Sequence, residues 1–203
     1  MKKLLAVLSA ATLMTTLAAC GAAGTAGVSS AASEPASAGE AAYRVAIVQQ
    51  MDHASLDEIR TAIEAELDAK AAAGTAVEYK VFNGQNDATT LNQIGTQIVS
   101  DGYDAVIPIA TLAAQCMATA CEPTGTPVIY AAISDPAAAD LTGIDYVTGT
   151  SDALNTAFIL DMMLAVQPDV QTVGLLYSNS EANSEAPIAE AKEYLDAKGI
   201  AYV

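Results

Sequence analysis

The stretch "YRVAIVQQMDHASLDEIRTAIEAELDAKAAAG", residues 43–74, decides the fold class because it joins a strand pattern to a helix pattern. Its first seven residues form an apolar, β-rich run. Ser55 is followed three residues later by Glu58, a capping-box spacing that predicts the start of a helix, and Gly74 predicts its end. One face of this helix carries the apolar residues Ile59, Ile63 and Leu67.

The same alternation continues along the chain. The apolar runs "VEYKVF" (77–82), "DAVIPIA" (104–110) and "PVIYAAI" (127–133) are predicted strands. A helix with Leu91, Ile94 and Ile98 on one face separates the first two and ends at Gly102, and a second helix starts at Thr111. Strands that alternate with helices in this way predict an α/β domain: a doubly wound parallel sheet covered on both faces.

A second α/β unit begins after residue 147. The segment "DYVTGTSD" (145–152) is predicted to cross into it, "TVGLLYS" (172–178) is predicted to be its first strand, and "IAYV" (200–203) its second. Two strands and their helices are too few to close a core, since sheets usually contain about four to six strands. We therefore expect a fragment, with an N-terminal lobe over 43–147 and a hinge and incomplete second lobe over 148–203.

The N-terminal segment "MKKLLAVLSAATLMTTLAAC" has the architecture of a secretory signal peptide. Its apolar part, from Leu4 to Ala19, is shorter than the ~20 residues that span a membrane. The tetrapeptide "LAAC" resembles a bacterial lipobox, which predicts removal of residues 1–19 and a lipid on Cys20; the alternative is a secreted protein with a chance cysteine. Residues 20–42, rich in Gly, Ala and Ser, are predicted to be a flexible linker. We expect an extracytoplasmic protein, anchored by lipid to the bacterial cell membrane.

Composition and motifs argue against several classes of function. The formal net charge of −16 repels phosphate backbones, so nucleic acid is not an expected partner. His53 is the only histidine, which excludes a multi-histidine metal site, and the sequence contains no phosphate-binding glycine motif. We expect no cofactor and no enzymatic activity.

His53 beside Asp52 is interpreted as a loop residue, with an acid/base pair as the alternative. Cys116 and Cys121 are either two buried thiols or, if the helix ends near Ala120, a disulfide.

Polar residues follow each predicted strand at its carboxyl end. Because parallel strands share this rim, and ligands of open α/β folds bind there, these residues predict a ligand cleft. The alternative is that they cap the following helices, which we favour for Ser55 and Asp87. The run "SNSEANS" (178–184) has more polar groups than a cap requires, and we interpret it as part of the binding site.

Six stretches together resemble one known family. They are "IVQQMDHASLDEIR", "NGQNDATTLNQI", "IATLAAQ", "AAISDPAAADL", "VTGTSD" and "VGLLYSNSEANS". This order is similar to that of the substrate-binding lipoproteins of bacterial ABC importers, in the subgroup associated with tryptophan and related amino acids. The resemblance covers 43–203. It implies the type I periplasmic-binding-protein fold, in which two α/β lobes joined by a hinge close around a ligand, and an ABC permease as membrane partner.

The resemblance and the rim together give the expected site. An amino acid needs donors for its carboxylate and acceptors for its ammonium group, which hydroxyls, amides and carboxylates supply without catalysis. Other possible ligands are a sugar or a nucleoside, and an extracytoplasmic α/β enzyme is a more distant alternative. The expected ligand-binding residues are Gln49, Thr111, Ser134 and Asp135 in the first lobe and Asn179, Glu181, Asn183 and Ser184 in the second.

Overall fold

The computed structural model of the chain describes residues 42–179 and 181–203. The predicted signal peptide, the lipidation site at Cys20 and the linker up to residue 41 lie outside the described residues, as does Ser180.

Five strands form one parallel sheet in the order β2-β1-β3-β4-β5. In β1, the side chains alternate between the two faces of the sheet, as in any strand. Ala46 and Val48 belong to a core that includes residues of two helices, whereas Gln49 contacts a third helix on the opposite face. The predicted doubly wound α/β fold is confirmed. The strands are β1 Tyr43–Gln49, β2 Val77–Asn83, β3 Ala105–Ile109, β4 Val128–Ile133 and β5 Val147–Ser151.

Three helices connect the first four strands: α1 Ala54–Ala72, α2 Ala88–Asp101 and α3 Thr111–Cys121. Helices α2 and α3 pack closely, since a Cβ added at Gly95 of α2 would lie 2.6 Å from the Cβ of Ala120 in α3. Leu91, Ile98 and Met117 are fully buried in the core. This packing fixes α3, whose first residue lies at the carboxyl end of β3.

Two helix starts test the capping predictions. Asp87 caps α2 as predicted, because its Oδ1 accepts a hydrogen bond from the Thr90 amide at 2.7 Å, which lowers the pKa of the Asp87 carboxyl. The prediction of a capping box at Ser55 is wrong. Helix α1 begins at Ala54, and the Nδ1 atom of His53 accepts from the Ser55 amide at 3.3 Å. His53 is therefore the N-cap of α1, which places Ser55 in the first turn.

The segment predicted to cross between the lobes forms β5 instead. The strand pairs with β4, with Gly149 opposite Tyr130, and the Asp152 amide donates to the Ile133 carbonyl at 3.1 Å. The reason is that the backbone of 147–151 lies beside the last strand of the first lobe and completes that strand's hydrogen bonding. The first sheet therefore extends to Ser151, beyond the expected boundary at residue 147.

The second unit contains α4 Thr156–Val166, β6 Thr172–Val173, a 3₁₀ turn over Ala182–Ser184, α5 Glu185–Lys198 and β7 Ala201–Tyr202. Strand β6 is much shorter than the predicted 172–178. Among the described residues it pairs with β7 alone, the Leu175 amide just beyond it donates to the Val203 carbonyl at 2.9 Å, and Leu176 is 99% exposed. The polar run at 178–184 thus follows an irregular segment.

Cys116 and Cys121 are buried free thiols, the first of the two alternatives. Helix α3 continues through Cys121, so the early helix end that a disulfide requires does not occur. Burial raises the pKa of Cys116 and raises that of Cys121 to about 11. In the part of the chain that the structure describes, no helix is both long and apolar enough to span a lipid bilayer.

Candidate ligand-binding site

The strand order reverses direction between β1 and β3, which makes the space above their carboxyl ends a topological switch point. Ligands of open α/β sheets bind in such crevices. Gln50 follows β1, and Ala110 and Thr111 follow β3. Ala110 has a φ of +77°, unusual for a residue other than glycine, and its own side chain cannot cap α3. The loop after β3 therefore presents the start of α3 to the crevice.

A cavity of about 300 Å³ occupies this position. Its volume is at the lower end of the range for small-molecule sites, about 300 to 1,000 Å³. Both units contribute to its wall, the first through the loops after β1, β2 and β3 and the second through the 3₁₀ turn. We call it the switch-point cavity. Its lining residues are Gln50, Asn86, Ala88, Thr111, Leu112 and Gln115 on one side and Glu181, Ala182 and Asn183 on the other.

Thr111 is a largely buried polar residue on the wall of this cavity. The residue is only 6% exposed, and its hydroxyl has no hydrogen-bond partner within 42–179 and 181–203. Among the described residues the fully buried side-chain atom without a partner is Oγ1 of Thr156, so the Thr111 hydroxyl is not fully buried and is open to the cavity. A ligand group in the adjacent cavity would supply the missing partner.

Gln50 joins the three loops of the first unit. Its amide oxygen accepts from the Leu112 amide at 3.0 Å, and its Nε2 donates to Oδ1 of Asn86 at 2.8 Å. The Gln50 backbone carbonyl accepts from the Asn86 amide at 2.8 Å. Gln50 thus takes over the capping role that Ala110 cannot perform. Sequence reasoning missed both Gln50 and Asn86, although both lie in the polar stretches at the carboxyl ends of β1 and β2.

The 3₁₀ turn contributes Glu181 and Asn183 to the opposite wall. If these residues were helix caps, their side chains would accept hydrogen bonds from the following amides. Glu181, at the N-cap of the turn, makes no side-chain cap bond, and neither does Ser184 at the N-cap of α5. The capping alternative therefore lacks its hydrogen bonds at these two positions.

The structure does not bring Gln49 into the cavity. Its Nε2 donates to the Met51 carbonyl at 2.7 Å and to Oδ1 of Asp57 at 2.8 Å, and its oxygen accepts from Nε of Arg60 at 2.9 Å. Gln49 is 2% exposed. It is the last residue of β1, on the face that α1 covers, and the side chain that reaches the cavity belongs to Gln50, the next residue.

The other predicted site residues lie outside the switch-point cavity. Ser134 and Asp135 line a separate cavity of about 320 Å³ beside Glu190 of α5. The Asp135 carboxylate accepts from the amides of Ala137 and Ala138, both at 3.0 Å, so it also stabilises the turn after β4. Asn179 lines a third cavity, of about 330 Å³, and Ser184 ends the 3₁₀ turn. Of the eight predicted residues, the switch-point cavity brings together Thr111, Glu181 and Asn183.

Comparison with known proteins identifies the family. The chain belongs to the ABC transporter substrate-binding proteins, whose family model matches residues 44–203. It is 30% identical over 156 residues to a tyrosine-binding protein of Clostridioides difficile strain R20291, a match that covers 74% of this chain and 45% of that protein. The resemblance inferred from the sequence is confirmed.

Two solved structures support the same fold. One is the ABC domain of Streptococcus pneumoniae in complex with L-Trp, with 32% identity, a TM-score of 0.73 and coverage of 81% of this chain and 56% of that one. The other is a ligand-free, open substrate-binding protein with adhesive properties from Clostridium difficile, with 29% identity, a TM-score of 0.60 and coverage of 79% and 56%. The chain therefore spans about half the length of these relatives. Two of the three are named as binding proteins, and the third is an ABC domain in complex with L-Trp.

Proposed function

We propose that this chain belongs to the ligand-binding component of an ABC importer, which captures an amino acid between its two lobes outside the cytoplasm. The observation that carries the proposal is Thr111. Within the described residues its hydroxyl makes no hydrogen bond, and it borders a cavity whose opposite wall carries the carboxylate of Glu181. One wall offers a hydrogen-bond donor and the other a negative charge.

This arrangement matches the two charged groups of an amino acid. The carboxylate would accept a hydrogen bond from Thr111 and lie at the start of α3, where the helix dipole favours negative charge. The ammonium group would face Glu181. Hydrogen bonds to charged groups are stronger than neutral ones, and a buried charge without partners is costly. A zwitterion would therefore hold the two walls of the switch-point cavity together.

The names of the relatives favour an amino acid of the tyrosine or tryptophan kind. A sugar or a nucleoside lacks the carboxylate that would bind at Thr111 and the start of α3. It also lacks the ammonium group that would face Glu181. Closure of the two lobes around the ligand would then give a membrane permease a loaded shape to recognise. The permease is the partner that this function requires.

A ligand screen tests the proposal. The complete product of the gene that encodes this chain is melted in the presence of each standard amino acid, common monosaccharides and nucleosides. Tyrosine or tryptophan is expected to raise the melting temperature, because a ligand at 100 times its Kd stabilises the folded state by about 2.7 kcal/mol. Stabilisation by a sugar or nucleoside, with none by amino acids, would contradict the proposed ligand class.

We also propose that Cys20 carries a lipid anchor, since the lipobox-like tetrapeptide ends there. Changing Cys20→Ala is expected to move most of the protein from the membrane fraction to the soluble extracytoplasmic fraction. Fractionation followed by immunoblotting measures this. Cys116→Ala is the matched control, because it removes a buried cysteine outside the signal and should leave the protein on the membrane. Unchanged membrane retention of Cys20→Ala would rule out the anchor.

A further inference from the structure

We infer that Asn86 selects for the carboxylate of the ligand, and that Gln50 sets the orientation of the Asn86 side chain. This inference rests on the proposed function and adds the residue that determines specificity in the first lobe. Both residues line the switch-point cavity, and their side-chain amides are joined at 2.8 Å.

The argument begins at the start of α3. The Leu112 backbone amide is a donor only, so the group of Gln50 that meets it at 3.0 Å must be the amide oxygen. The Nε2 of Gln50 must then face Asn86. Because an NH₂ group only donates, the atom of Asn86 that accepts this hydrogen bond must be Oδ1. Gln50 is 6% exposed, and both ends of its side-chain amide are engaged in these hydrogen bonds, which fixes its orientation.

The consequence concerns the other half of the Asn86 amide. With its oxygen committed to Gln50, the group left for a ligand is Nδ2, which carries two N–H donors and has no partner among the described residues. Thr111 adds a hydroxyl to the same wall. Asn86 and Thr111 thus both offer donors on this wall, and the Asn86 amide group that remains matches a carboxylate and disfavours an ammonium group.

The substitution Asn86→Asp tests this with little change in shape. A carboxylate at this position still accepts the hydrogen bond from Gln50, so the fold should be retained, but a negative acceptor replaces the donor that faces the ligand. In the complete gene product, we expect affinity for L-tyrosine and L-tryptophan to fall by about ten- to a hundredfold. Tyramine and tryptamine, which lack the carboxylate, should lose much less. Calorimetric titration measures all four ligands.

Gln85→Glu is the matched control, because it adds the same charge at the adjacent residue, which does not line the switch-point cavity. It should bind amino acids within about threefold of the unaltered protein. Equal amino-acid affinity in Asn86→Asp and the unaltered protein would overturn this inference alone. An equal loss for amines and amino acids, together with a lower melting temperature, would also overturn it by indicating a structural role. If the unaltered protein binds no amino acid, both the proposed function and this inference fail.

Discussion

Replacing Glu181 by Ala in the complete gene product is expected to weaken amino-acid binding by about 1 to 3 kcal/mol, or roughly 5- to 150-fold. The residue lines the switch-point cavity opposite Thr111 and makes no side-chain cap bond in its own turn. Its carboxylate would be the partner of the ligand ammonium group, and its removal would leave that charge unpaired. Calorimetric titration with tyrosine and tryptophan measures the loss. Asn183→Ala is expected to act in the same direction.

Glu185→Ala serves as the control, since it removes the same charge four residues later, in the first turn of α5 and outside the switch-point cavity. It should leave affinity nearly unchanged. The capping interpretation of the same polar run predicts the reverse for Glu181→Ala: a lower melting temperature with unchanged affinity. Unaltered affinity in both Glu181→Ala and Asn183→Ala would remove the 3₁₀ turn from the site.

A second large effect is expected at Gly149, where β5 lies against β4. A Cβ at this position would lie 2.2 Å from the Tyr130 carbonyl oxygen and 2.4 Å from its ring. Both the backbone and the ring would have to move, so the change cannot be absorbed by one flexible side chain. We expect Gly149→Ala to lower the free energy of unfolding by about 1 to 3 kcal/mol, the usual cost of overpacking. Urea denaturation followed by circular dichroism measures it.

Gly174→Ala is the matched control, because no heavy atom lies within 4 Å of the Cβ it would add. Its free energy of unfolding should stay within about 0.5 kcal/mol of the unaltered chain. Equal stability of Gly149→Ala and Gly174→Ala would mean that β5 does not pack against β4 as described, and the first sheet would then lack its fifth strand.

The parts of the fold that the sequence predicts correctly depend on local patterns. The apolar run at 43–49, the cap at Asp87 and the left-handed glycines Gly102 and Gly199 each act within a few residues of themselves. Alternation of strands and helices then leads to the parallel sheet, because few other arrangements bury such strands. The common rim at the carboxyl ends of the strands follows from that topology.

Other features depend on contacts that sequence patterns do not contain. Gln50 lines the switch-point cavity and Gln49 does not, because Gln49 lies on the face of β1 that α1 covers. Asp57 and Arg60 of that helix hold the Gln49 amide. His53 replaces Ser55 as a cap because the chain enters α1 two residues earlier than the capping box predicts. The length of β6 depends on β7, the strand that pairs with it in the described part of the chain. In each case the decisive residue is distant in sequence or lies one or two residues away from the expected one.

The most direct test of the account is a crystal structure of the complete gene product grown with L-tyrosine or L-tryptophan. We predict electron density for the ligand in the switch-point cavity, with its carboxylate within hydrogen-bond distance of the Thr111 hydroxyl and of Nδ2 of Asn86, and its ammonium group facing Glu181. Ligand density in the cavity beside Ser134 and Asp135, with the switch-point cavity empty, would contradict the proposed site.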